Sequence, residues 1–133
     1  MELAMTSPTG QKVRGWDKFG SGAYGAPRGG KPHKGVDFVC KPGQPVVSPI
    51  TGRVVREARP YAQGPFSGLV IENDHVKIKM FYLKPDLKLV GQAVPKGRFV
   101  GTAQDIGEKH PGITPHIHLE VGRVDPSLFL DMP

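Results

Sequence analysis

The sequence predicts an all-β domain built on a central antiparallel sheet with long surface loops. Short β-like runs follow one another from residue 35 onward, turn signals separate them, and no window has the period of an amphipathic helix. The 133 residues include 18 glycines and 14 prolines, which favours turns and short strands over long helices. A chain of this length forms one domain with a substantial core.

The predicted strands are, in chain order, GVDFVC, PVVSPI, GRVVREA, GLVIEND, HVKIKMFYL, GRFVGTA and HIHLEVGRV. Turn signals rich in Gly, Pro, Asn and Asp lie between them. Alternation is clearest in VKIKMFYL, where we expect Val76, Ile78, Met80 and Tyr82 on one face of the strand and Phe81 with the two lysines on the other.

Residues 1–32 lack this alternation and are rich in Gly and Pro. We expect residues 1–14 to be disordered or vector-derived and residues 15–133 to form a single domain. The start has no basic region followed by an apolar one, so it does not read as a signal peptide. No segment approaches the roughly 20 apolar residues of a membrane helix, so we expect no membrane span.

The net charge is +6 and the sequence pI is about 9.6. This charge permits weak binding of polyanions through a basic surface. The basic residues are scattered, however, which favours a solvated surface. The sequence lacks the interleaved basic and aromatic residues that would indicate specific nucleic-acid binding.

Cys40 is the one cysteine in the sequence. No intrachain disulfide can form, and a cysteine-based zinc site needs more thiols. Its place in a β-like run predicts a small buried apolar residue.

Histidine and aspartate pairs form the candidate site. His116 and His118 lie two apart in a predicted strand, so both side chains leave the same face, roughly 7 Å apart. His33 and Asp37 lie four apart at the start of the first strand. If the two strands are neighbours, the four side chains converge and could bind zinc, with one histidine of the pair left to transfer protons.

Residue types alone leave a metal site and structurally satisfied histidines equally open, because such pairs also arise by chance in a chain with five histidines. We expect His75 at a solvated hairpin turn and His110 in a surface loop that could also border the site. Glu120 shares the strand face of His116 and His118, so it either orients a histidine or is an exposed strand charge.

Several longer motifs occur in one order: RGGKPHKGVDFVC, PGQPVVSPITGRVV, KMFYLKP, VPKGRFVGT and HPGITPHIHLE. Together they resemble the lysostaphin/LytM-type zinc endopeptidases, and within that superfamily the chemotaxin-2-like domains. The resemblance covers about residues 15–130. It implies a central antiparallel sheet with a groove lined by loops.

The resemblance also implies site residues. His33, Asp37 and His118 would bind Zn²⁺, and His116 would match the catalytic histidine of the family. Active peptidases of this type carry a second catalytic histidine in a Tyr-x-His-Leu motif, and Tyr82 occupies that position here. With a pKa near 10, a tyrosine is a poor base at neutral pH.

We therefore favour a zinc-binding, non-catalytic domain that acts on a protein partner or receptor in interaction or signalling. The alternative is an active zinc endopeptidase that cleaves Gly-rich or peptidoglycan peptides, in which His116 transfers the proton and Tyr82 stabilises the oxyanion. A metal-free β scaffold whose histidines are remnants is the third hypothesis.

The compartment stays open. The resemblance implies secretion, but Lys77 and Gly122 stand where the related domains carry cysteines. The single cysteine and the absence of a signal peptide favour an intracellular protein or a domain excised from a longer one.

Overall fold

The computed structural model describes residues 5–10, residues 35–121 and the backbone of residues 27–28 and 31–32. Within these ranges the strands are β1 (Pro27–Arg28), β2 (Lys31–Pro32), β3 (Val36–Val39), β4 (Pro45–Val47), β5 (Gly52–Ala58), β6 (Gly68–Glu72), β7 (Lys77–Phe81), β8 (Leu83–Pro85), β9 (Ala93–Val94), β10 (Phe99–Ala103) and β11 (His116–Val121). Two 3₁₀ helices span Leu87–Leu89 and Ile106–Glu108. Among the described residues, no helix is long and apolar enough to span a membrane.

Six strands form the central sheet, in the order β3-β11-β7-β6-β5-β9. A second sheet has the order β4-β10-β8, and β1 pairs with β2. All the strand pairs in the described residues are antiparallel. The predicted all-β class with a central antiparallel sheet is confirmed, and all seven predicted strands are present.

The main core lies between one face of the central sheet and the three-stranded sheet, since both supply its buried side chains. From the central sheet come Val36, Phe38, Val54, Leu69, Ile71, Ile78, Met80, Ile117, Leu119 and Val121, and from the smaller sheet Val46, Leu83, Val100 and Ala103. Burying an aliphatic side chain of this kind contributes about 1.5–3 kcal/mol of transfer free energy. This contact fixes which face of each central strand is left for a site.

Strand β11 divides its residues cleanly between the two faces. Ile117, Leu119 and Val121 enter the main core. The alternating residues His116, His118 and Glu120 therefore point to the opposite face of the central sheet. The sequence prediction that the two histidines share a face is confirmed.

Tyr82 does not follow the predicted alternation. It has φ 76°, a left-handed conformation that is unusual for an aromatic residue. This turn between β7 and β8 takes its side chain out of the face of Ile78 and Met80. Tyr82 packs instead against a second cluster made of Phe66, Ile106, Ile113 and Tyr61. The prediction for Tyr82 was wrong because strand periodicity cannot anticipate a change in the sign of φ.

Residues 5–10 of the N-terminal segment contact the main core and the end of β4. Met5 is fully buried in the main core. The Thr6 N–H donates to the Pro49 carbonyl at 3.0 Å, and the Val47 N–H donates to the Pro8 carbonyl at 2.9 Å. These contacts attach residues 5–10 to β4 and to the turn that follows it. The rest of residues 1–14 lies outside the described residues.

Gly35, directly before β3, lies close to the backbone of β11. A Cβ atom built there would lie 2.3 Å from the Leu119 carbonyl oxygen and 3.0 Å from the His118 ring. No side chain fits without moving the backbone. Glycine is needed here for close approach rather than for a turn.

We expect Gly35→Ala to lower the free energy of unfolding by about 2–3 kcal/mol, because the added methyl group separates β3 from β11. Urea denaturation measures the change. Gly10→Ala is the control: Gly10 has φ +74°, and a methyl group added there would meet no atom within 4 Å, so only the conformational cost of about 1 kcal/mol applies. Equal losses in the two variants would contradict the close-contact explanation.

Cys40 is buried in the main core, as the sequence predicts. Burial, with a smaller effect from the charge of Asp105, raises the pKa of its thiol from 9.0 to about 12. At pH 8 the thiolate fraction of Cys40 is therefore lower than that of an exposed cysteine by a factor on the order of a thousand.

We expect Cys40 to react with Ellman's reagent only as the protein unfolds. A Leu87→Cys variant serves as the control, because Leu87 is exposed and its replacement adds one accessible thiol. That variant should show one fast and one slow thiol, and both should react at once in guanidinium chloride. Fast reaction of the wild-type thiol in native buffer would show that Cys40 is accessible.

Candidate functional site

The candidate site begins with the pairing of β3 and β11. Asp37 lies directly opposite His118 in the antiparallel register. The Asp37 carboxylate is buried, and its Oδ1 lies 2.7 Å from His118 Nδ1. The structure thus brings the Asp37 and His116/His118 motifs together, as expected if the two strands are neighbours. His33 lies outside the described residues.

Both ring nitrogens of His118 face carboxylates. Nδ1 faces Asp37, and Nε2 lies 2.9 Å from Glu120 Oε2. Since a carboxylate only accepts hydrogen bonds, both nitrogens donate and the ring is an imidazolium in this arrangement. Burial lowers the pKa of His118, but the hydrogen bonds and charges of Asp37 and Glu120 outweigh it and raise the pKa to about 9.

His116 is held in a different way. Its ring is buried, and Nδ1 lies 2.7 Å from the Thr114 carbonyl oxygen. Since a carbonyl oxygen only accepts, Nδ1 carries the proton and donates it. Nε2 faces Asp37 Oδ2 at 3.6 Å, beyond hydrogen-bond length. In the neutral ring this Nε2 is the nitrogen with a lone pair.

Asp37 and His118 have the chemistry of metal ligands. A carboxylate oxygen and an imidazole nitrogen are two of the donors that zinc takes in proteins. A metal ion replaces the proton on the nitrogen that it binds, and His118 Nδ1 is the nitrogen aimed at Asp37. The described ranges contain no group of three His, Cys, Asp or Glu side chains arranged to hold a metal ion. Asp37 and His118 thus fit zinc as two ligands of a larger set.

Glu120 and Phe81 fix the His118 ring from its other sides. Glu120 accepts the hydrogen bond of Nε2, which leaves Nδ1 as the nitrogen available to a metal ion. Phe81, the cross-strand neighbour of His118, stacks on it with ring centroids 6.0 Å apart and planes 9° apart. The ring is therefore oriented before any ligand binds.

A group of aromatic and cationic side chains lies next to His116. The Tyr82 ring meets the His116 ring edge-on, with centroids 5.3 Å apart. The Tyr61 hydroxyl lies 3.4 Å from the Tyr82 hydroxyl and 3.4 Å from His110 Nε2. Lys109 Nζ lies 4.1 Å from the centre of the Tyr61 ring.

This group contains His110, for which a place at the border of the site was left open, and Tyr61, which was not expected. His110, expected in a surface loop, is partly buried and contacts Tyr61. Tyr61 is a site neighbour that the sequence did not indicate, because it lies in an irregular stretch whose contact with Tyr82 depends on tertiary folding alone. His75 is exposed at the hairpin between β6 and β7, as predicted.

Hydrogen bonds hold Tyr82 in its left-handed conformation. Its N–H donates to the Ser67 carbonyl at 2.8 Å, and its own carbonyl accepts from the Gln104 N–H at 2.8 Å. The Gln104 side chain accepts from the Ser67 N–H at 2.9 Å and donates to the Pro65 carbonyl at 2.8 Å. This brace fixes the backbone from which the Tyr82 ring reaches His116.

Comparisons with known proteins agree with this geometry. Residues 31–127 match the model of peptidase family M23. Leukocyte cell-derived chemotaxin-2 from Bos taurus is 37% identical over 122 residues, which cover 90% of this chain and 80% of that protein.

Two solved structures share the fold. The catalytic domain of lysostaphin from Staphylococcus simulans superposes with a TM-score of 0.55 at 30% identity, covering 84% of each chain. A zinc-containing peptidase from Vibrio cholerae gives a TM-score of 0.59 at 30% identity, covering 90% of this chain but 37% of that one. The chain therefore belongs to peptidase family M23, with a chemotaxin-2-like sequence on the fold of the lysostaphin-type peptidases.

Proposed function

We propose that this protein is a zinc-binding, non-catalytic peptidase-fold domain that acts in protein–protein interaction or signalling. His33, Asp37 and His118 would hold the metal ion. The observation that carries the proposal is Tyr82 beside His116, at the position where the resemblance to active peptidases requires a second histidine.

The buried Asp37 carboxylate supports the zinc part of the proposal. A buried charge costs several kcal/mol unless an opposite charge compensates it. Asp37 faces one histidine nitrogen at 2.7 Å and another at 3.6 Å, and protonated His118 compensates its charge in the arrangement described. A structural zinc ion would supply the compensating charge instead and would stabilise the folded state by mass action, since the unfolded chain lacks the site.

Tyr82 supports the non-catalytic part. A neutral phenol donates a hydrogen bond but takes up no proton at neutral pH. The loss of one positioned proton-transfer group typically lowers a rate by about 10²–10⁴. His116 retains a hydrogen bond that sets its tautomer, but its ring neighbour cannot share the proton transfer.

The interaction part rests on relatives and on charge. The Bos taurus relative is named a chemotaxin and not a peptidase. The net charge of +6 would assist binding to an acidic protein or receptor.

An active endopeptidase is the second candidate, favoured by the hydroxyl pair of Tyr61 and Tyr82 beside His116. Zinc, when bound, would polarise a peptide carbonyl. Tyr82 could then donate a hydrogen bond to the developing oxyanion, and the lone pair on His116 Nε2 could accept a proton.

We expect the protein, purified without a histidine tag or chelator, to contain about one zinc per chain. Asp37→Asn and His118→Ala should each reduce zinc to a small fraction of that amount, because each removes a ligand. Mass spectrometry of the metal content measures this. His75→Ala is the control, since His75 is exposed and remote from Asp37.

Thermal unfolding with and without chelator adds a second measurement. Chelator should lower the melting temperature of the wild type and of His75→Ala but leave Asp37→Asn unchanged. Less than about a tenth of an equivalent of zinc in the wild type would contradict the proposal and favour a metal-free scaffold.

We expect the wild type to leave pentaglycine and peptidoglycan-derived peptides intact, and Tyr82→His to introduce measurable cleavage. Histidine is among the non-glycine residues that adopt positive φ most readily, so the substitution suits the backbone at φ 76°. Mass spectrometry of the peptides after incubation measures turnover. A Tyr82→His/His116→Ala double variant is the control and should be inert.

Zinc-dependent cleavage by the wild type, abolished in His116→Ala, would replace the non-catalytic proposal with the endopeptidase. An inert Tyr82→His variant with full zinc content would mean that more than one side chain separates this domain from the active peptidases.

A further inference from the structure

Large apolar side chains are exposed together on the side of the three-stranded sheet. Leu87, Val90 and Phe99 are 52%, 41% and 45% exposed. These three are the exposed large hydrophobic residues within the part of the chain that the structure describes. They lie outside the candidate metal site and have no part in the proposed function.

Backbone contacts place the three residues near one another. Strand β8 pairs with β10 so that Pro85 opposes Gly101, and the Asp86 N–H donates to the Val100 carbonyl at 2.9 Å. Because this hydrogen bond holds Asp86 next to Val100, the adjoining residues Leu87 and Phe99 lie near each other where β8 ends and β10 begins. Val90 follows Leu87 by three residues through a 3₁₀ turn, which aligns side chains three apart. We call Leu87, Val90 and Phe99 the apolar patch.

Basic residues surround the apolar patch. Lys88 follows Leu87, Arg98 precedes Phe99, and Lys84 lies opposite Thr102 on the neighbouring strand; all three are exposed. Within the described ranges, none of the three forms an ion pair. Asp86 is the acidic residue among them, and its carboxylate accepts from the Lys88 backbone N–H at 3.1 Å. The charge around the patch is therefore predominantly positive.

Protruding apolar side chains with a basic surround match the interface of an anionic bilayer. The apolar groups would enter the headgroup boundary, and the cations would contact the phosphates. A second copy of this chain fits poorly, because it would bring like charges together. A peptide helix normally enters a groove, whereas these side chains project outward.

We propose that the apolar patch docks this domain peripherally onto anionic phospholipid surfaces. The docking is independent of zinc, because Phe99 lies on the three-stranded sheet and Leu87 and Val90 on the 3₁₀ turn after β8, whereas the Asp37–His118 pair lies on the central sheet.

Co-sedimentation with vesicles tests the proposal, using phosphatidylcholine alone and phosphatidylcholine with about one-third phosphatidylserine. We expect binding to the anionic vesicles only. Lys84→Gln/Lys88→Gln should weaken it by about fivefold per lysine, and Leu87→Ser/Phe99→Ser by about tenfold or more. Arg56→Gln/Lys77→Gln removes the same charge from exposed positions on the central sheet and should change binding by less than about twofold.

Insertion has its own measurement. Leu87→Cys can be labelled with an environment-sensitive fluorophore because the native thiol of Cys40 is buried. Its emission should shift to shorter wavelength on anionic vesicles, while the same label at Lys77→Cys should not respond. Melting temperatures verify that each variant is folded.

Several results would overturn the proposal. If the Arg56→Gln/Lys77→Gln control lost as much vesicle binding as Lys84→Gln/Lys88→Gln, the binding would be a nonspecific attraction of positive charge. Unchanged binding by Leu87→Ser/Phe99→Ser would exclude the apolar contact. Absence of vesicle binding, together with patch-dependent binding of an acidic, phenylalanine-containing peptide, would identify a protein partner instead. Vesicle binding that persists in chelator would show that docking does not depend on zinc, whatever the outcome for the zinc site. Loss of vesicle binding in chelator would contradict the independence of docking from zinc.

Discussion

The buried carboxylate of Asp37 is the constraint on which the described site depends. It lies on β3, inside the sheet, where an uncompensated charge would cost several kcal/mol. His118 compensates it at 2.7 Å only because β3 and β11 pair with these two residues directly opposite. That register in turn requires Gly35, since a side chain there would collide with the Leu119 carbonyl. The pairing of β3 and β11, which Gly35 permits, therefore allows His118 to compensate the buried charge of Asp37.

The same requirement explains why the site suits a cation. In the arrangement described, the proton on His118 Nδ1 compensates the charge of the Asp37 carboxylate. A metal ion bound to Nδ1 would replace that proton and compensate the same charge. Glu120 holds the opposite nitrogen in either case, so the ring need not turn. The contacts of Glu120 and Phe81 therefore orient the His118 ring in the arrangement described.

Much of the site could be predicted because strand periodicity is a local property. The shared face of His116, His118 and Glu120 follows from their spacing, and the main core on the other face confirms it. Spacing left open whether the strands of Asp37 and His118 are neighbours, and the structure pairs them for these two residues. Neither strand periodicity nor motif resemblance predicted the contacts made by irregular segments. Tyr61 reaches Tyr82 from a segment without periodicity, and Met5 enters the core from a segment with too few residues to show a pattern.

Tyr82 shows most clearly where sequence reasoning ends. Its strand pattern placed it in the main core, but φ 76° turns its ring toward His116. A left-handed aromatic residue costs about 1–2 kcal/mol, and strain of this size persists only where neighbouring structure enforces it.

Here Ser67 and Gln104 enforce it through main-chain hydrogen bonds that do not involve the Tyr82 side chain. The brace would hold a histidine at this position equally well. The scaffold for a second catalytic group is therefore intact, and the side chain it presents is what separates proton transfer from hydrogen bonding. Under the proposed function, the side chain at position 82 would separate binding from peptidase activity, while the main-chain hydrogen bonds that hold this position would serve either residue.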